Sequence, residues 1–281
     1  IKYFENKGSA QCKSCVMLAS LNTPGETVIK AKKSRNHSEL FFKTLNIPIK
    51  IKQNKNFDLI KVKCVKKIKP INYKIPSDIS SSSFFIVLTA LTKNSKLLIK
   101  NVNVNPSRVG IITILRKMGV NIIFKNKRTY KNEKMADILI KSSHNLKAIN
   151  CPSSLNSSAI DEFLLIFLVA AKAKGVSNFK KLSELNQKES PRLKWGSRIL
   201  NKMGVKTILT KDSIKIYGNP NLKIKKDIII KDYLKDHRIF MASTIAALTL
   251  GGRWKIYDRS SIKTSFPSFI NKIKKLGAKI Y

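Results

Sequence analysis

Residues 160–209 read IDEFLLIFLVAAKAKGVSNFKKLSELNQKESPRLKWGSRILNKMGVKTIL, and this stretch decides the fold. Asp161 to Lys174 predicts a helix, and its run from Phe163 to Ala171 is apolar without a break, the pattern of a helix buried on all sides. A short strand, a polar loop, a second helix with a wet lysine face ending at Met203-Gly204, and another strand follow. The same order returns from Ser9 (SAQCKSCVMLASLNTPGETVIKAKKSRNHSELFFKTLNIPIKI), from Ser80 (SSSSFFIVLTALTKNSKLLIKNVNVNPSRVGIITILRKMGVNIIF) and from Asp236 (DHRIFMASTIAALTLGGRWKIYDRSSIKTSFPSFINKIKKLGAKIY). Self-similarity at this spacing is the mark of one supersecondary unit used repeatedly. Four such units, with apolar helices wrapped by strands, predict an inside-out α/β arrangement.

The four copies agree in their apolar positions and differ in the polar residues at their helix starts. Ser9 to Gln11, Asp161, and Asp236 to Arg238 stand at first helices; Ser34 to His37, Asn105 to Arg108, and Lys188 to Arg192 stand at second ones. Helix N-termini carry unpaired N–H groups and a partial positive charge, so they attract phosphates and carboxylates, and added Arg or Lys strengthens that attraction. The plainer reading is that Ser, Asn and Asp only cap helices, with Pro106, Pro191 and Pro267 in first turns. Capping suffices for the Asn105 and Thr264 clusters. It does not account for Lys188, Glu189 and Arg192 together with Asp236, His237 and Arg238.

A chain of 281 residues with 43% hydrophobic content can build two cores. The net charge of +40 comes from nine arginines and 47 lysines, the lysines scattered over strands, turns and helix backs beside Ile and Asn. Without an RNA-binding aromatic signature, zinc finger or basic arm, no nucleic-acid partner is expected. The excess reads as compositional drift on solvated faces, and a local positive field that concentrates anionic metabolites is compatible with it. Cys12 and Cys15 form a CxxC with no second ligand pair, so no metal is expected, and the four cysteines are expected to be buried free thiols of a cytoplasmic protein. The longest apolar run is too short for a membrane span, and no leader peptide opens the chain. The chain starts at Ile1 inside a repeat unit and reads as a fragment.

Helices are predicted at Ser9–Leu21, Ser38–Leu45, Ser80–Leu91, Ser107–Met118, Asp161–Lys174, Pro191–Met203, Asp236–Leu250 and Pro267–Leu276. Strands are predicted near Thr27–Ile29, Lys96–Ile99, Asn121–Phe124, Ile138–Ile140, Ile214–Tyr217 and Asp227–Ile230. The segment Ile68 to Ile75, with Pro70, separates the first copy from the other three, which sets a domain boundary between residues 72 and 73.

In order along the chain, SAQCKS, SRNHSE, SDISSSSFF, NPSRVGIITILRKMGV, IDEFLLIFLVAA, KESPR, DHRIFM and TSFPSF resemble the 5-enolpyruvylshikimate-3-phosphate synthase family, and its class II bacterial branch in particular. The resemblance implies an inside-out α/β barrel of six units, three per domain, with the active site in the cleft between domains. About four units are visible: residues 1–72 would be the last unit of the N-terminal domain and 73–281 the C-terminal domain. It further implies transfer of the enolpyruvyl group of phosphoenolpyruvate to the 5-hydroxyl of shikimate 3-phosphate, releasing phosphate, in aromatic amino acid biosynthesis. No cofactor is implied, and a monomer is expected when the protein is whole.

Residue by residue, the resemblance assigns Ser9 and Gln11 to shikimate 3-phosphate, with Gln11 also near phosphoenolpyruvate, and Arg35 to the shikimate phosphate. Asp161 matches the acceptor of the 5-hydroxyl proton, Lys188 a substrate lysine, Glu189 a carboxyl in proton transfer, Arg192 and Arg238 the arginines on phosphoenolpyruvate, and His237 their neighbouring histidine. The chemistry fits, since addition needs one base and one acid, and two guanidinium groups suit a ligand with phosphate and carboxylate. The sequence departs from the family at Asn36 and Pro191, where Asp is usual, at Leu164, where Pro is usual, and at Asn186-Gln187, where Arg-Val is usual. The family's N-terminal substrate lysine and a further phosphoenolpyruvate arginine have no counterpart in residues 1–281, so this stretch alone is expected to be inactive. The alternatives are the sister UDP-N-acetylglucosamine enolpyruvyl transferase, which would show Asp-Leu-Arg at positions 236–238, and a non-catalytic basic binding protein on the same fold.

Overall fold

The structure is a computed structural model and describes residues 1–280. Two compact units are present: residues 1–76 with 103–108 and 126–136, and residues 77–102 with 109–125 and 137–281. Tyr281, the last residue of the fourth repeat, lies outside the described residues.

The first unit carries β1 (Lys2–Glu5), α1 (Ala10–Ser20), β2 (Glu26–Lys32), α2 (His37–Thr44), β3 (Ile49–Gln53) and β4 (Phe57–Lys63). Its sheet runs β1-β2-β4-β3, with β1 and β2 parallel and the other pairs antiparallel. Alternation in ETVIKAK buries Thr27, Ile29 and Ala31 on one face while Lys30 and Lys32 on the other stay wet. Met17 of α1 and Phe42 of α2 close a core with Ile29, Ala31, Ile47, Ile60 and Val62. Ser9 caps α1 by accepting the Cys12 N–H at 3.2 Å.

The second unit repeats helix, strand, helix, strand. Its elements are α3 (Ile79–Leu91), β5 (Lys96–Asn103), α4 (Gly110–Lys117), β6 (Asn121–Tyr130), β7 (Glu133–Lys141), α5 (Asn156–Ala159), α6 (Phe163–Lys172), β8 (Gly175–Phe179), α7 (Arg192–Lys202), β9 (Thr207–Leu209), β10 (Ile214–Gly218), β11 (Ile224–Ile230), α8 (His237–Leu250), β12 (Gly251–Ile256) and α9 (Phe269–Lys275). The ends of β5, β6 and β7 count with the first unit. Every residue of α6 from Phe163 to Ala171 is buried, and α3 and α8 are buried along most of their length. These three first helices pack against one another, with sheets β5-β7-β6, β8-β10-β9 and the parallel pair β11-β12 around them. Phe163, Phe167 and Phe179 stack between α6 and β8, and Phe84 meets Phe269 of α9. Burying each such side chain contributes about 1.5–3 kcal/mol. The arrangement is the inside-out α/β fold that the repeats predict.

Several local expectations need correction. The cysteines are not buried: Cys12, Cys15 and Cys64 are exposed and Cys151 is half-buried. On α1 the inward residues are Lys13, Met17 and Ser20, and Cys12 and Cys15 fall on the opposite face. The helix predicted from Asp161 begins at Phe163, so Asp161 sits in the turn before it. The helix predicted from Ser107 begins at Gly110; Asn105 instead folds its own loop, its side-chain oxygen accepting the Ser107 N–H at 2.9 Å. Pro106, Pro191 and Pro267 all precede their helices, Pro191 at the cap position itself.

Candidate active site

Arg192, the first residue of α7, is the centre of the second unit's polar cluster, and it is only 2% exposed. Its Nε donates to Oδ2 of Asp236 at 2.8 Å and its Nη2 to Oδ1 at 3.3 Å, a two-point grip on a carboxylate that is itself buried. Nη2 also pairs with Glu189, and Nη1 lies 3.6 Å from Oδ1 of Asp161. Burial opposes both charges, but each partner outweighs it for the other. Hydrogen bonding and the Asp236 charge raise the Arg192 pKa above its ordinary value, and Arg192 with Ser190 lowers that of Asp236.

Asp236 is at the same time the cap of α8. Its Oδ1 accepts the Arg238 N–H at 2.9 Å, and its Oδ2 accepts from Ser190 Oγ at 2.8 Å. One carboxylate therefore fixes the starts of α7 and α8 together. Arg238 then reaches the turn before α6: its Nη1 donates to the Asp161 carbonyl oxygen at 2.9 Å and stands 3.8 Å from Glu162. Glu162, 2% exposed, accepts from Ser80 of α3. Three repeats thus converge on the Asp161-Glu162 turn.

His237 is half-buried at the first position of α8. Burial, and next the charge of Arg238, push its pKa below the ordinary value, so the imidazole is neutral near pH 7. Lys188 directs its Nζ to Glu184 at 2.8 Å, and Glu189 is exposed apart from its contact with Arg192. The missing carboxylate at Pro191 is not needed to hold Arg192, since Asp236, Glu189 and Asp161 supply three. Leu164 is buried one position inside α6, where it packs rather than turns the chain.

In the first unit, Ser9 opens α1, Gln11 is exposed two residues on, and Arg35 stands half-buried ahead of α2. Lys13, buried, pairs with Glu39 at 2.6 Å and donates to the Arg35 carbonyl at 2.8 Å. On the other side, Glu133 accepts from Asn103 and Asn105 at 3.1 Å each and bonds His37 Nδ1 at 2.5 Å, while Asn105 donates to Asn36 at 2.9 Å. Burial raises the Glu133 pKa most of any single cause, but the hydrogen bonds and charge of His37 and the two amides carry it below the ordinary value. Sequence reasoning did not single out Asp236 as an arginine clamp, nor Glu162, Lys13, Glu39 or Glu133. No signal in the sequence marked Lys13, because α1 carries apolar residues on both faces and only Lys13, Met17 and Ser20 of it are buried.

Among the described residues no cluster of His, Cys, Asp and Glu can hold a metal, and no helix is long and apolar enough to cross a membrane.

Buried repeat helices, outer sheets and a turn gripped by two arginines define an enolpyruvyl transferase-type protein. The sequence profile of EPSP synthase (3-phosphoshikimate 1-carboxyvinyltransferase) matches residues 1–273, and the chain belongs to that family. It is 38% identical over 282 residues to the 3-phosphoshikimate 1-carboxyvinyltransferase of Zymomonas mobilis, covering 99% of this chain and 62% of that protein. With the enzyme of that name from a Thermoanaerobacter species it shares 39% identity over 264 residues, 93% of this chain and 60% of the other. The solved EPSP synthase of Acinetobacter baumannii superposes with a TM-score of 0.88 at 34% identity, over 98% of this chain and 62% of that one. The enolpyruvyl transferase NikO of Streptomyces tendae, at 15% identity and a TM-score of 0.73, covers all of this chain and 64% of its own, and shares the fold. The chain thus spans about three fifths of the length of the relatives it matches.

Proposed function

We propose that this chain supplies most of an enzyme that transfers the enolpyruvyl group of phosphoenolpyruvate to the 5-hydroxyl of shikimate 3-phosphate, releasing phosphate. The observation that carries this reading is the convergence of Arg192 and Arg238, 46 positions apart and in different repeats, on the Asp161-Glu162 turn. Two guanidinium groups beside a carboxylate suit a small ligand with two anionic groups and a proton to be moved.

In this mechanism Asp161 takes the proton of the 5-hydroxyl as its oxygen attacks C2 of phosphoenolpyruvate, and an acid, assigned to Glu189, protonates the methylene carbon. The tetrahedral adduct then returns a methyl proton to Glu189 and expels phosphate, which takes the proton held by Asp161, and the double bond is regenerated. Arg192 and Arg238 hold the phosphate and carboxylate through both steps, neutral His237 lies beside them, and Lys188 balances the leaving phosphate. In the first unit Ser9, Gln11 and Arg35 take shikimate 3-phosphate. No cofactor enters. The domain division proposed for the whole enzyme keeps residues 1–72 with its N-terminal domain and 73–281 as the C-terminal one, in a monomer working in the cytoplasm. The sister reading, a UDP-N-acetylglucosamine enolpyruvyl transferase, requires Leu where His237 stands, and the family match disfavours it.

The test is Asp161→Asn with the chain extended to the length of its relatives. The N-cap position of α6 is held by Glu162, one residue after Asp161. Turnover should fall roughly 10²-fold or more, as for a lost general base, with shikimate 3-phosphate binding little changed. Unchanged turnover would remove Asp161 from the chemistry.

A further inference from the structure

We infer that the buried pair Lys13–Glu39 is a positioning device for Arg35, an inference that rests on the reading of Arg35 as a ligand of the shikimate phosphate. Both side chains are almost wholly withdrawn from water, at 1% and 3% exposure. The pair is a poor investment if stability alone is at stake. Taking two charges out of water costs several kcal/mol per ion in order of magnitude, and an apolar pair of like volume often serves as well or better. Glu39 is also incompletely satisfied: its Oε1 meets Lys13 Nζ at 2.6 Å, while its Oε2 is buried with no hydrogen-bond partner among the described residues.

What the ammonium does that an apolar group cannot is donate to the carbonyl oxygen of Arg35, at 2.8 Å. Lys13 lies one turn beyond the Ser9 cap of α1, and Glu39 in the first turn of α2, where the helix N-terminus favours a carboxylate. The pair therefore joins the segment that bears Ser9 and Gln11 to the segment that bears Arg35. A second tie runs parallel to it, the 2.5 Å bond between the hydroxyls of Ser14 and Ser38. On the near side, buried Glu5 accepts the N–H groups of Lys7 and Gly8 at 2.9 and 2.8 Å and sets the path into Ser9. Fixing the Arg35 main chain removes backbone freedom that a ligand would otherwise have to freeze, which is how preorganisation raises affinity.

The experiment uses the whole chain of residues 1–281 and separates positioning from stability. Lys13→Met strands a buried Glu39 and should lower the melting temperature. Lys13→Met with Glu39→Met removes both charges at similar volume, and should restore the melting temperature to within a few degrees of the parent. The double variant should nevertheless exchange its amides at Arg35 to His37 roughly tenfold faster, and bind shikimate 3-phosphate, measured by calorimetric titration, roughly tenfold more weakly, the worth of one charge-assisted hydrogen bond. Glu39→Gln keeps an acceptor for Lys13 and should keep both properties near the parent. A double variant with parental exchange and affinity, or one that does not fold, overturns the inference. Arg35→Ala separates the underlying reading: if it leaves affinity unchanged, Arg35 is not a phosphate ligand, and in that case, or if the parent chain does not bind shikimate 3-phosphate, the exchange measurement alone judges the clamp.

Discussion

His237 shows how the surroundings of one position set its charge and, through it, stability. Burial, followed by the adjacent Arg238 charge, depresses its pKa, so the folded protein resists a proton that the unfolded chain accepts near pH 6.5. The sign follows from linkage: the stability present above pH 6.5 is lost as pH falls through the folded value, because over that window the unfolded state binds more protons. The imidazole resonances of His237 should titrate with a midpoint below 6.5. In Arg238→Met the midpoint should rise, since a like charge is removed while Asp236 and Glu189, which favour the protonated form, remain. An unmoved midpoint would leave burial and the Arg192 charge as the causes. Cys151 illustrates the same physics, its thiol pushed up to about 11 by burial.

At the scale of elements, α7 must lie close on α6 for Arg192 to enter the cluster, and Gly196 sets that distance. A Cβ at Gly196 would stand 2.7 Å from Cδ2 and 2.9 Å from Cε2 of Phe167. Gly196→Ala should therefore cost about 1–3 kcal/mol by overpacking, although Ala is the better helix former in isolation. Thermal unfolding checks this, and a melting temperature at or above that of the parent would show that Phe167 can turn aside. The repeat helices were legible because a continuous apolar run such as Phe163 to Ala171 has one meaning in a chain of repeats, a helix buried on every side. The start of α6 was not legible: Asn156–Ala159 already forms a short helix, and the chain turns once more at Asp161 before α6 begins. Nor was the phase of α1, whose apolar residues occupy both faces; Leu18 is 57% exposed while Lys13 is buried. Contacts such as Ser80 with Glu162, or Arg192 with Asp236, join residues from separate repeats, and single-sequence periodicity carries no information about them.

At the scale of the whole molecule, each unit has its own core, and the proposed ligands are divided between the two units by residue. The first unit contributes Ser9, Gln11 and Arg35, and the second contributes Asp161, Lys188, Glu189, Arg192, His237 and Arg238. The relatives are longer than this chain, which spans 62% of the Zymomonas protein, and the resemblance places a substrate lysine and a further phosphoenolpyruvate arginine in the part not spanned. Each charge-assisted contact to a phosphate or carboxylate is worth about 1.5–3 kcal/mol, so losing two lowers the stabilisation of the transition state by about 3–6 kcal/mol, or roughly 10²- to 10⁴-fold in rate. Loss of water exclusion around the reacting atoms adds to that. Purified residues 1–281, supplied with phosphoenolpyruvate and shikimate 3-phosphate, should therefore release no phosphate above background. The absence should not come from unfolding, because each unit has a buried apolar core, and the chain should show a cooperative thermal transition under the same conditions. Steady-state phosphate release near the rate of the longer relatives would mean that the residues present here suffice for the whole reaction, and the roles assigned to the unspanned lysine and arginine would then fall.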